Sequence, residues 1–156
     1  PVYGDAIAEK QSEAVLAFRV LGNSARQALP VLSVLLTNCT GINRLAVAQS
    51  MAGIGEEAKP RLSAALSHPN PIVRRASLVG LIDLGTAARD AVPAVMGRLN
   101  DSDAEVKSLA LFFIGEVCDE PEVKLRVFKE AAQDPDRHVR FFAERELRRM
   151  GWSGSK

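Results

Sequence analysis

Few side chains in this sequence are of the types that do chemistry, and their spacing narrows them further. Cys39 and Cys118 are the only cysteines, far apart in the chain and without Cys-x-x-Cys spacing, so they suggest neither a metal knuckle nor a redox pair. His68 and His138 have no second His or Cys at ligand spacing beside them, whereas a protein-held zinc ion needs three or four ligands. Cys39 with His68 is the one conceivable nucleophile–base couple, a thiol activated by an imidazole. Two such groups make no zinc site. The expectation is no catalytic residue, no metal and no cofactor.

The remaining chemistry is cationic. Arg44, Arg74, Lys107 and Arg140 recur at nearly equal steps along the chain, the first step slightly shorter than the other two. Such a row could be a phosphate-binding strip, or it could tie neighbouring elements together through hydrogen bonds. Charge is also uneven along the chain: residues 101–136 hold ten acids and four bases, residues 137–156 six bases and two acids. Arg137, Arg140, Arg145, Arg148 and Arg149 could touch an acidic partner or nucleic acid. A solvated capping helix, with Glu144–Arg148 and Arg145–Arg149 as neighbours that partly neutralise one another, is the favoured reading. No aromatic ladder or glycine-rich loop accompanies these bases. With 20 Lys and Arg against 19 Asp and Glu, the chain lacks the bulk charge of a dedicated nucleic-acid binder.

What positions these residues is a repeat. Val73-Arg74, Val106-Lys107 and Val139-Arg140 recur with a period of roughly 33 residues, within the range of helical repeat arrays. Gly85, Cys118 and Gly151 follow these three valines, each at the same distance. Gly55 and Gly22 continue the series upstream, with one shortened step because segment 55–60 is trimmed relative to its counterparts 22–30 and 85–93. Each repeat reads as two helices. Ala76, Leu78, Leu81 and Leu84 follow helical spacing in the first helix, as do Leu109, Leu111, Ile114 and Val117. Asn70, Asp103 and Asp136 are placed to cap its start. The glycines suit a left-handed stop, from which Cys118 departs. Pro30, Pro60 and Pro93 open the second helix, whose inward rows are Leu32, Leu62, Val95, Phe128 and Leu36, Leu66, Leu99, Ala132. Phe112-Phe113 and Phe141-Phe142 read as core and repeat-interface packing.

About nine helices follow, the last running from roughly His138 to Met150. There Glu144 and Glu146 replace Leu111 and Phe113, as expected where nothing further covers them. One helix pair cannot bury its apolar face alone, so the pairs must stack into an all-α solenoid. A chain of 156 residues with 47% hydrophobic composition can support that core, burying roughly two-thirds of its unfolded surface. No apolar run approaches the ~18 residues of a membrane span.

The pattern resembles HEAT repeats, particularly the short bacterial type similar to the phycobilin-lyase HEAT-like group. The hallmark is an Asp in the turn between repeats with an Arg six positions on. Asp101…Lys107 and Asp134…Arg140 match it, while Asn38…Arg44 and His68…Arg74 keep the base and lose the acid. The stretches from Leu21-Gly22 to Leu36 and from Leu84-Gly85 to Leu99 also match that group. The resemblance implies a right-handed α-solenoid of about four and a half HEAT-like helix pairs. It further implies that Arg44, Arg74, Asp101, Lys107, Asp134 and Arg140 form a structural ladder between repeats. If any of the row binds an anion, Arg44 and Arg74 are the pair left without a carboxylate.

These readings give one domain over residues 1–152, with repeats at about 6–38, 39–68, 69–101 and 102–134, a terminal helix at 135–151 and a flexible tail at 153–156. The chain opens Pro1-Val2-Tyr3 without Met, which leaves room for upstream repeats or a removed signal peptide and makes it a candidate segment of a longer chain. The leading functional expectation is a non-enzymatic scaffold that binds a protein or peptide on its concave second-helix surface. Ser33, Arg61, Ser63, Met96, Lys129 and Glu130 are expected to line that groove, with Val34, Ala64 and Gly97 beside them. Two alternatives come from the resemblance: a nucleic-acid-binding or DNA-glycosylase-like HEAT protein, and a bilin-lyase-like protein. The glycosylase reading would need a basic, aromatic groove, whereas Trp152, the sole Trp, lies outside the repeats.

Overall fold

The computed structural model describes residues 2–38 and 43–152, with side chains from residue 9 onward. Among these are nine α-helices and no strands: α1 (Val2–Leu21), α2 (Leu29–Asn38), α3 (Arg44–Ile54), α4 (Lys59–Ala65), α5 (Pro71–Leu84), α6 (Val92–Met96), α7 (Ala104–Val117), α8 (Pro121–Ala131) and α9 (Arg137–Arg149). The odd-numbered helices pack each on the next, from α1 through α9, and α2, α4, α6 and α8 lie along their other side.

Local chemistry sets the ends of these helices. The side chains of Asn70, Asp103 and Asp136 accept backbone N–H groups at the starts of α5, α7 and α9, satisfying donors that a helix start leaves open. Asn43 does the same for α3. That helix begins at Arg44 itself, whereas α5, α7 and α9 each begin a little before their ladder base, at Pro71, Ala104 and Arg137. Gly22, Gly55, Gly85 and Gly151 all have positive φ, from 49° to 118°, a backbone that side-chain-bearing residues rarely adopt. Cys118 is extended, with φ −73°. Gly22–Ala28 and Gly85–Ala91 each form a long 3₁₀ turn, while the trimmed counterpart is the short turn Glu56–Ala58.

The core runs the length of the stack between the two rows. Leu32, Leu62, Val95 and Phe128 are buried, as are Leu36 and Leu66, Leu78 and Leu81, and Leu111 and Ile114. Two close approaches set the helix spacing. A Cβ on Gly80 would stand 3.0 Å from the Ala48 carbonyl oxygen and from Leu62 Cδ2, and one on Gly53 would stand 3.0 Å from the backbone nitrogen of Arg19.

The aromatic pairs split. Phe113 is buried and Phe142 packs against the core, but Phe112 is 37% exposed and Phe141 63% exposed. Phe112 still meets Phe142 edge to face at 6.3 Å. The expectation for Glu146 is also corrected. It is buried, at 7% exposure, and holds Arg145 and Arg149, so only Glu144 of the two end acids faces solvent. Two steps along an α-helix rotate the side chain by more than half a turn, so the two acids cannot face the same side. Trp152 does not trail away from the repeats: its backbone N–H donates to Leu147 O, and its ring lies 5.1 Å from Lys129 Nζ. The tail at 153–156 lies outside the described residues.

Candidate functional site

Two bases of the row, Arg74 and Lys107, reach forward to an acid in the following turn. Arg74 Nη1 donates to the carbonyls of His68 at 2.9 Å and Pro69 at 2.8 Å, in the turn just before α5. Its Nε and Nη2 donate to Asp101 at 2.8 and 2.5 Å, in the turn after α6. Lys107 reaches forward in the same way to both Asp134 oxygens, at 2.7 and 2.6 Å. Each acid also accepts the backbone N–H two positions on, from Asp103 and Asp136 respectively. Arg44 Nε donates to Leu36 O, and Arg140 Nη1 to the carbonyls of Asp134 and Pro135.

Arg74 is therefore not the base lacking a carboxylate. The acid comes from the following turn, and the His at position 68 supplies its backbone carbonyl instead. With Arg74 and Asp101 both nearly buried, no room for an anion is left there. A parallel clamp runs beside it, in which Arg75 grips Asp103 and Glu105. The Arg75 hydrogen bond holds the Asp103 carboxyl below the usual carboxylate range, against the opposing effect of burial.

The C-terminal arginines are partly committed. Arg145 donates to Glu146 and stacks 4.7 Å over the Phe142 ring. Arg149 lies 3.3 Å from Glu146 and 3.7 Å from Glu116, and Arg148 is 3.9 Å from Glu144.

On the second helices, the expected groove residues are not equally presented. Ser33, Arg61, Ser63 and Met96 are half-buried, while Lys129 and Glu130 are exposed. Met96 and Glu130 come together, with Leu99, Asn100, Arg126 and Asp134, around a cavity of about 320 Å³ between α6 and α8. Ser63 lies elsewhere, in a depression with Glu56, Lys59 and Asp90, and Lys129 is occupied by Trp152. The exposed stripe lies one position further round each helix. Its rows are Pro30, Pro60, Pro93, Arg126 and Val34, Ala64, Gly97, Glu130, with Ser67, Asn100 and Gln133 following. Of this stripe only Val34, Ala64, Gly97 and Glu130 were anticipated as groove residues, although the i, i+4, i+7 spacing of the rest was the available signal.

Cys39 lies outside the described residues, and Cys118 is buried. His68 Nδ1 accepts the Asn70 N–H at 3.1 Å, so its ring serves the turn. Among the described residues no three of His, Cys, Asp and Glu gather as a metal cage, and no helix is long and apolar enough to cross a membrane.

A family model described as HEAT repeats matches residues 28–112, more than half of the chain. No curated protein matches it.

Proposed function

This chain belongs to the HEAT-repeat family, and from that premise we propose that it is a non-enzymatic scaffold whose second-helix surface binds a protein or peptide segment. We read it as one right-handed α-solenoid domain, residues 1–152, of about four and a half helix pairs, with the second helices on the concave side. The observation that carries the reading is the exposed stripe on α2, α4, α6 and α8. Small, uncharged side chains (Pro30, Val34, Pro60, Ala64, Pro93, Gly97) give way to Arg126 and Glu130 beside the 320 Å³ cavity. Exposed apolar and small side chains at one repeating position suit an extended segment laid across successive repeats. In the groove as first expected, Ser33, Arg61 and Ser63 belong to the flanks, and Met96 and Glu130 to the cavity wall.

The basic C-terminal helix lends little to a nucleic-acid reading, because Arg145 and Arg149 already hold Glu146. The likeness to bilin lyases rests on sequence pattern alone. A photo-crosslinking residue at Ala64 or Gln133, compared with one at Thr86 in a first-to-second-helix turn, tests the proposal in source-cell extract. The same partner captured from Ala64 and Gln133, and lost with Val34→Glu, is expected. Capture from Thr86 alone, or a salt-sensitive shift of DNA on a gel, would overturn it.

A further inference from the structure

The second-helix stripe carries one row of uncharged polar side chains. Ser67, Asn100 and Gln133 follow the ends of α4, α6 and α8, one repeat apart. All three are exposed, and their side chains have no partner among the described residues. A hydroxyl or a carboxamide offers both a donor and an acceptor. That is the complement of the peptide unit, which brings one N–H and one C=O per residue. The rows alongside are short: Pro30, Pro60 and Pro93, then Val34, Ala64 and Gly97. Side chains this small let a main chain lie close to the helices, where long ones would hold it off. Packed helices lie about 8–10 Å apart and an extended chain advances about 3.3 Å per residue, so one repeat matches about three residues.

Charge narrows the occupant. Neither short row bears any. Arg126 and Glu130 are opposite in sign and one turn apart on α8, and Asp134 beside them is held by Lys107. Of the other bases on this side, Arg98 donates to Leu66 O, Lys129 meets Trp152, and Arg61 is half-buried on the flank. The stripe therefore offers no net charge to an acidic or a basic partner. Between α6 and α8 it opens into the 320 Å³ cavity, whose apolar lining is Met96, Leu99, Val127 and Ala131. Asn100 of the polar row lines the same cavity. A space of that size with an apolar floor suits one large apolar anchor.

We propose, resting on the second-helix surface as the binding face, that the partner is an extended, uncharged segment read mainly through its main chain. Ser67, Asn100 and Gln133 bond its N–H and C=O groups, and one large apolar side chain enters the cavity. Main-chain bonds then supply the affinity and the cavity the selectivity. Such recognition tolerates many sequences around the anchor but requires free peptide N–H groups.

NMR titration of the isotope-labelled full chain with capped ten-residue peptides tests this. The parent peptide is built of Ser, Thr and Ala around one central Phe. A second carries Ala for Phe, a third is N-methylated at alternate residues, and a fourth has Asp at its Ser positions. The parent is expected to shift the amide signals of Ser67, Asn100 and Gln133. Loss of the Phe is expected to weaken binding about tenfold, and N-methylation to abolish it. Asn100→Ala, at an exposed position that leaves the circular dichroism unchanged, is expected to weaken the parent about threefold or more. Equal affinity of the parent and N-methylated peptides, or of wild type and Asn100→Ala, overturns the main-chain mode. Equal affinity with and without Phe removes the anchor, and tighter binding of the Asp peptide overturns the uncharged partner. A parent that shifts no second-helix signal overturns the inference as a whole. The scaffold reading falls on a different result, capture from Thr86 alone.

Discussion

Arg74 and Asp101 meet through two N–H donors at 2.8 and 2.5 Å, with side chains only 8% and 3% exposed. The pair fastens the turn before α5 to the turn after α6, so one side chain sets the offset between successive repeats. Removing one partner leaves the other charge buried and unpaired. Arg74→Ala is expected to cost about 3–5 kcal/mol in chemical denaturation. Replacing both residues by apolar ones should cost clearly less. Equal losses for the single and double variants would mean the pair contributes packing alone.

Gly80 is required by space rather than by backbone. A Cβ there would lie 3.0 Å from the Ala48 carbonyl oxygen and 3.0 Å from Leu62 Cδ2, and an ordinary carbon contact needs more room. Gly80→Ala should lower stability by about 1–3 kcal/mol through overpacking, despite alanine's better helix propensity. An unchanged melting temperature would show that α3 and α5 can separate freely.

The capping carboxylates make stability depend on acid. Asp136 accepts the N–H groups of His138 and Val139, which hold its carboxyl below the usual range. Asp103 is held down first by Arg75. Because the folded carboxyls lose their protons at lower pH than the unfolded ones, their stabilisation is complete above about pH 4. It is lost as pH falls through the lowered folded values. Asp136→Asn keeps a capping oxygen but cannot titrate, so its melting temperature should fall less steeply below about pH 4 than that of the wild type. Parallel acid limbs would remove Asp136 from the account.

Leu81 and Ile114 are fully buried, on α5 and α7 respectively. Truncating either to Ala should cost about 2–5 kcal/mol, the transfer and cavity terms together. Losses under about 1 kcal/mol at both sites would contradict the helix register that buries them.

Gly85 sits at φ 58° with nothing within 4 Å of where a Cβ would stand. Its cost on substitution is therefore conformational: with ψ at −134° the backbone lies outside the left-handed helical region, and Gly85→Ala should lose about 1–3 kcal/mol. An alanine variant as stable as the wild type would mean the turn relaxes at no cost.

The features legible in the sequence are those that depend on neighbours within a helical turn or two. The repeat period, the caps at Asn70, Asp103 and Asp136, the glycine stops and the inward rows of Leu62, Val95 and Leu81 all belong here. Helical spacing and cap chemistry act over a few residues, so residue types alone determine them. The candidate surface was less legible. Val34, Ala64 and Gly97 could be named, but Ser33, Ser63 and Met96 turn half inward and Lys129 turns to Trp152. That outcome depends on how far each second helix rotates against its neighbours. The tertiary structure alone decided that Arg74 takes its acid from the following turn, that Glu146 is buried while Glu144 is not, and that α1 leaves Leu16 and Val20 uncovered. Arg74 and Asp101 stand 27 residues apart in the chain, and whether Glu146 or Val20 is covered depends on the helices packed around it, so only the stacking of one helix pair on the next decides these features.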